Sequence, residues 1–169
     1  EFVRNNGLII GICNGFQVLV RSGLLPQVKS SKQEVSLTSN SSAKFECRWT
    51  KLKTDRSCCV FTPNLPEQIY LPVAHAEGRF IASNETLDQL ETNGQVVFRY
   101  VSSNYPENPN GSERNIAGIC DPTGRIMGLM PHPERYLSRY SHPRWTRENL
   151  PEEGDGLSIF RNAVNYVSS

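Results

Sequence analysis

The chain has 169 residues, 37% hydrophobic and 21% charged, with 18 Lys+Arg against 17 Asp+Glu for a formal net charge of +1. That mixture is globular rather than disordered, and the length defaults to a single domain over 1–169. The balanced charge excludes a broad basic footprint for nucleic acid, and no apolar run approaches the roughly 20 residues of a membrane-spanning helix.

The opening residues 1–7 end in Asn6-Gly7 and read as the end of a helix. The chain is therefore expected to begin inside a longer protein. Residues 7–12 are almost wholly apolar between glycines, the pattern of a strand buried on both faces in a parallel sheet. Cys13-Asn14-Gly15 then turns. Phe16, Leu19 and Val20 share one side of a helix over 16–21, with Gly23 as its stop. Residues 24–42 are polar and Ser-rich and are expected to be mostly loop. Strands are predicted at 45–52 and 68–73, a short helix at 85–91, and a strand rich in β-branched and aromatic residues at 95–101. A turn-dense loop covers 104–115. A hairpin pairs 116–120 with 126–130 around Asp121-Pro122-Thr123-Gly124, and an amphipathic helix closes the chain over 156–167. A parallel-type first strand followed by antiparallel ones predicts an α/β fold with a mixed sheet and flanking helices.

Five cysteines (Cys13, Cys47, Cys58, Cys59 and Cys120) show neither the spacing of a disulfide framework nor the paired CxxC of a zinc site. This usage points to the cytoplasm. Three N-x-S/T sequons stand at Asn40, Asn84 and Asn110, but such tripeptides arise often by chance.

Gly11-x-Cys13-x-Gly15 has the form of a nucleophile elbow with Cys in the Ser position. Glycines on both sides clear space for a strained strand-to-helix turn, and the helix that follows aims N–H groups at the sulfur, favouring thiolate. The Asn14 N–H is placed to hold an oxyanion. Gln17, one helical turn on, returns to the same face. A cysteine nucleophile needs a base and an orienting carboxylate. Two H-x-E patterns offer them, His75-Ala76-Glu77 and His132-Pro133-Glu134. The second is preferred because it follows an apolar strand, where catalytic groups of α/β folds gather. Its two prolines are expected to hold an extended backbone that puts Glu134 on the same side as His132. A metal on Cys13, His75 and His132 is not expected, since these ligands include no tight pair. His142 reads as a loop residue, and Arg79 as an anion contact or a solvated charge.

The sequence resembles the class I (triad) glutamine amidotransferases in Gly11-Ile12-Cys13-Asn14-Gly15-Phe16-Gln17 and Gly128-Leu129-Met130-Pro131-His132-Pro133-Glu134-Arg135. Residues 40–49, 74–79 and 108–112 are similar to the purine-pathway branch of that family, the glutaminase components of phosphoribosylformylglycinamidine synthase. The resemblance implies a flavodoxin-like α/β fold with a mixed, mainly parallel sheet. It implies that Cys13 forms a γ-glutamyl thioester from glutamine, that His132 shuttles protons and that Glu134 orients it. Gln17, Asn14, Lys44 and Phe45 would bind the substrate. Ammonia would pass to a synthetase subunit or domain of PurL type, with a small PurS-type subunit as a further partner. That partner would use ATP and magnesium, leaving no cofactor and no metal to this chain.

The family carries strands and a Gly-Gly oxyanion loop ahead of the elbow strand, which this sequence starts too late to contain. The isolated 169 residues are accordingly expected to be weakly stable and nearly inactive. Two other readings stand beside the first: another Cys-His-Glu hydrolase such as a γ-glutamyl peptidase, and a non-catalytic docking domain.

Overall fold

Residues 1–7 close as a helix end closes. Asn6 takes φ 62°, its N–H donates to Val3 O at 3.1 Å, and Gly7 N–H donates to Phe2 O at 3.1 Å. The structure, a computed structural model, describes residues 1–28 and 33–168. From there the chain runs β1 (Ile9–Ile12), α1 (Asn14–Arg21), β2 (Val35–Ser39), β3 (Glu46–Thr54), β4 (Gln68–His75), β5 (Glu77–Ala82), α2 (Asn84–Thr92), β6 (Val96–Tyr100), β7 (Ile116–Cys120), β8 (Ile126–Leu129) and α3 (Leu157–Ser168).

Six strands form one sheet in the order β1-β8-β7-β6-β3-β4, and β2 pairs with β5 in a separate two-stranded ribbon. The sheet is mixed, as the sequence predicts. Parallel pairing is confined to β1 and β8, while the β8–β7, β7–β6, β6–β3 and β3–β4 pairs are antiparallel. The expectation of a mainly parallel sheet therefore holds only at that first pair. Physically, β7 and β8 are joined by the five residues 121–125, a hairpin that must be antiparallel, whereas β1 reaches β8 only through the rest of the fold, which permits parallel pairing. The sheet curls until its far edge returns. His132 N–H, just past β8, donates to Pro72 O of β4 at 2.8 Å.

Alternation along the strands divides the core. Leu52, Leu71, Val73, Met127 and Leu129 face one buried cluster; Phe16, Leu19 and Val20 of α1 and Leu87 and Leu90 of α2 face another with Phe80 and Ile126. Each such side chain contributes about 1.5–3 kcal/mol on burial. Two glycines let α1 lie directly on the sheet: a Cβ at Gly128 would sit 2.1 Å from the Phe16 ring, and one at Gly11 2.5 Å from Leu19 Cδ1. Gly15 differs. A Cβ there meets nothing within 4 Å, so the elbow's second glycine has no steric duty in this structure.

β2 was not predicted. Val35 and Leu37 do alternate with Ser36 and Thr38, but three hydroxyl residues in five mask the pattern, and the strand is supported by β5 rather than by its own composition. Part of the predicted 24–42 loop, residues 29–32, lies outside the described residues.

Candidate active site

β1 delivers Cys13 to the top of the sheet. Its N–H still donates to Leu129 O at 2.8 Å, extending the β1–β8 ladder, but its backbone turns to φ 53°, ψ −106°. A non-glycine residue held there stores on the order of 1–3 kcal/mol of strain, typical of nucleophile elbows. α1 starts at the next residue. Cys13 O accepts from Phe16 N at 3.0 Å and Gln17 N at 3.3 Å, and the Asn14 N–H is directed at the Cys13 sulfur. The thiol itself lies 3.9 Å from Ala74 O.

β8 delivers the histidine. Ile12 and Leu129 are register partners in a parallel pair, so Cys13 and His132 both emerge just beyond the same end of the sheet. Both also lean on β4. His132 uses the Pro72 carbonyl and Cys13 the Ala74 carbonyl, two residues apart on one strand, or roughly 7 Å. His132 is 7% exposed, and its Nδ1 donates to Glu134 Oε1 at 2.6 Å. That bond assigns the proton to Nδ1 and leaves a lone pair on Nε2, which is buried without a hydrogen-bond partner among the described residues. The prediction that Glu134 adjoins His132 is met by a different backbone. Residues 133–135 form a 3₁₀ turn, closed by Arg135 N–H to His132 O at 3.2 Å, rather than continuing extended. Proline suits the first position of such a turn, where its missing N–H costs nothing.

Burial pushes the Cys13 thiol above its ordinary value. The Asn14 N–H and the Arg135 charge pull it down, and Glu134 raises it again. The helix end therefore does act on the sulfur as expected, but desolvation outweighs it, and thiolate formation falls to a base.

The other predicted contacts are distributed around this centre. Gln17 Nε2 is spent on Glu77 O at 3.2 Å, tying α1 to the start of β5. Asn14 and Gln17 line a groove of about 760 Å³ with Ser36, Thr38 and Glu77, and neither Cys13 nor His132 contributes to its wall. Both main-chain groups of Lys44 are engaged: its carbonyl accepts from Asn40 Nδ2 at 2.9 Å and its N–H donates to Ser42 Oγ at 3.3 Å. Phe45 exposes 64% of its surface. Its neighbour Glu46 pairs with His75, next to the Ala74 that touches the thiol, so this turn flanks the centre without closing on it.

His75 is buried. Asn40 donates through Nδ2 to Lys44 O and to His75 O, so its Oδ1 accepts from His75 Nδ1 at 3.1 Å. Burial, and then the neighbouring His132, lower its pKa to about 4, so the ring is neutral. His142 lies in a loop, as read, and is buried there against Trp49, Tyr70 and Tyr136. Arg79 Nε donates to Gly111 O at 3.2 Å. Two of the three sequons are structural: Asn40 and Asn110 are buried, the latter donating to Gly78 O at 2.8 Å and Tyr100 OH at 3.0 Å. Sequence reasoning missed this buried Tyr100–Asn110–Ser112 network and the β4 carbonyls, because each depends on contacts far apart in the chain. Among the described residues no group of three or more His, Cys, Asp or Glu could hold a metal ion, and no helix is long and apolar enough to cross a membrane.

A cysteine on a strand-to-helix elbow, with a His–carboxylate pair at the end of the adjoining parallel strand, is the layout of an α/β protein built for thiol-based acyl transfer. The comparisons with known proteins place it further. Residues 1–167 match the CobB/CobQ-like glutamine amidotransferase domain, and the chain belongs to that family. The phosphoribosylformylglycinamidine synthase subunit PurQ of Dehalococcoides mccartyi is 49% identical over 99% of this chain and 66% of its own length. The PurQ subunit of Methanococcus maripaludis is 44% identical over 99% of this chain and 68% of its own. The structure of PurLQS from Thermotoga maritima contains a chain matching at TM-score 0.75 and 32% identity, over 98% of this chain and 65% of that one. The chain thus spans about two thirds of the length of these relatives.

Proposed function

We propose that the chain is the glutaminase part of a phosphoribosylformylglycinamidine synthase, with residues 1–169 belonging to one amidotransferase domain. It would hydrolyse glutamine to glutamate and hand ammonia to a synthetase of PurL type, together with a small PurS-type subunit, in the cytoplasm. ATP and magnesium belong, on this reading, to the synthetase. The observation that carries it is the strained Cys13 elbow set beside the buried His132–Glu134 pair, in a chain of this family.

In the reaction, His132 Nε2 takes the Cys13 proton as the sulfur attacks the carboxamide carbon of glutamine. The raised thiol makes that transfer necessary rather than optional. The carbonyl oxygen gains charge against the Asn14 N–H, which costs no reorganisation because the helix start already fixes it. The tetrahedral adduct collapses, the C–N bond breaks, and His132 returns the proton to the departing ammonia. Water, activated by the same Nε2, then cleaves the thioester to glutamate and free thiol. Glu134 holds Nδ1–H throughout and stabilises the imidazolium between the two transfers.

Glutamate release, measured with and without synthetase, formylglycinamide ribonucleotide, ATP and magnesium, tests this. Turnover is expected to rise when the synthetase is present, and amide nitrogen labelled in glutamine should appear in the amidine product. Hydrolysis of γ-glutamyl peptides at a rate indifferent to the synthetase would instead select the peptidase reading.

A further inference from the structure

Away from Cys13, four sulfurs meet at the opposite end of β8. Cys58 Sγ lies 3.7 Å from Cys120 Sγ, and Cys59 Sγ lies 3.5 Å from Met127 Sδ. Cys120 and Met127 are register partners on β7 and β8, in a ladder without a register shift. All five cysteines are free thiols. The 57–60 segment that carries the vicinal pair is strapped down at both ends. Cys58 N–H donates to Gly94 O at 3.0 Å, and Val60 N–H donates to Gly124 O at 3.0 Å. Gly124 is required for this approach: a Cβ there would sit 2.1 Å from Cys58 O. The main chain of Cys58 is therefore fixed in place beside Cys120.

We propose that Cys58 and Cys120 form an oxidation site that a hydroperoxide converts to an intramolecular disulfide. The two thiols have different duties. Cys58 is exposed and meets the oxidant, while Cys120 is fully buried and can react only with what Cys58 presents to it. Contact with Cys59, then burial, keep the Cys120 thiol protonated, so it is not the first to react. In the first step the Cys58 sulfur attacks the peroxide O–O bond, giving Cys58 sulfenic acid and water. In the second, the Cys120 sulfur displaces the sulfenic hydroxyl, the S–S bond forms, and the Cys120 proton leaves with that hydroxyl as a second water. Two electrons pass from the two thiols to the peroxide. The two sulfurs, 3.7 Å apart, need to approach to about 2.05 Å to bond. Cys59 points inward to Met127 and is adjacent to Cys58 in sequence, so it competes poorly for the same sulfur.

The test uses the full chain with dilute hydrogen peroxide, then thiol alkylation, non-reducing digestion and mass mapping. One cross-link between the Cys58 and Cys120 peptides is expected, reversed by dithiothreitol. The cross-linked chain should melt roughly 5–10 °C above the reduced one, because the bond closes a long loop. In Cys58→Ser the Cys120 thiol should stay reduced under the same exposure. In Cys120→Ala, checked for a cooperative melt, Cys58 should stop at sulfenic acid and be trapped by dimedone. Overoxidised Cys58 beside a reduced Cys120 in the unaltered chain, or a cross-link to Cys59 or Cys47 instead, would overturn the proposal.

Discussion

The chain carries the same three-residue pattern twice, and the two copies fold to different ends. In His132-Pro133-Glu134 a 3₁₀ turn swings the carboxylate back to 2.6 Å from the imidazole. In His75-Ala76-Glu77 the backbone bends at Ala76 between β4 and β5, so that His75 is buried and Glu77 is exposed. There the imidazole takes Asn40 as partner, and the Glu77 carbonyl serves Gln17. Spacing alone does not make a His–carboxylate pair; the backbone between them does. A proline that starts a turn produces the pair, and an alanine at a strand-to-strand bend dissolves it.

This contrast can be broken from several sides. Cys13→Ser should remove glutamine turnover by about 10⁴-fold or more, since the elbow then holds a hydroxyl whose proton the same base cannot readily take. Glu134→Gln should lower kcat by about 10²–10⁴-fold with little change in melting temperature, because the imidazolium loses its charge partner while the turn survives. The second histidine should speak through stability instead. Its folded pKa, about 4, lies below its ordinary 6.5, so the unfolded chain binds the extra proton between those values. Stability from this group is complete above about pH 6.5 and is lost as pH falls through 4, by about 2–3 kcal/mol. Urea midpoints measured from pH 7 to pH 4 should show that slope, and His75→Gln should flatten it. An unchanged slope in the variant would reassign the acid sensitivity. Glu77→Gln should leave both turnover and stability within about two-fold and 0.5 kcal/mol, as expected of an exposed carboxylate with no pairing role.

Much of this was legible from residues alone. Gly11, Cys13 and the Phe16, Leu19, Val20 face specify a strand, an elbow and a helix by local rules of size and period, and β1, α1, β6, the β7–β8 hairpin and α3 follow that reading. His132 was found because it ends an apolar strand. What escaped the sequence is long-range. β2 needs β5 to exist, and the curl that brings Pro72 and Ala74 under His132 and Cys13 is a property of six strands together. The thiol's raised pKa was also out of reach, because a helix terminus is visible in sequence whereas the desolvation opposing it is not. The partner of the Gln17 amide was also out of reach, because the Glu77 carbonyl that occupies it lies sixty residues away.

The central claim, that Cys13 with His132 and Glu134 is the glutamine-reactive centre, is tested most directly by covalent trapping. The chain, alone and with its synthetase, is treated with a diazo-ketone analogue of glutamine, with and without excess glutamine, and the adduct is mapped by mass. The account predicts one adduct, on Cys13, suppressed by glutamine and slowed in Glu134→Gln but not in Glu77→Gln. Equal labelling of the five cysteines, or labelling of Cys13 that glutamine leaves untouched in both preparations, would contradict it and leave a domain that only docks.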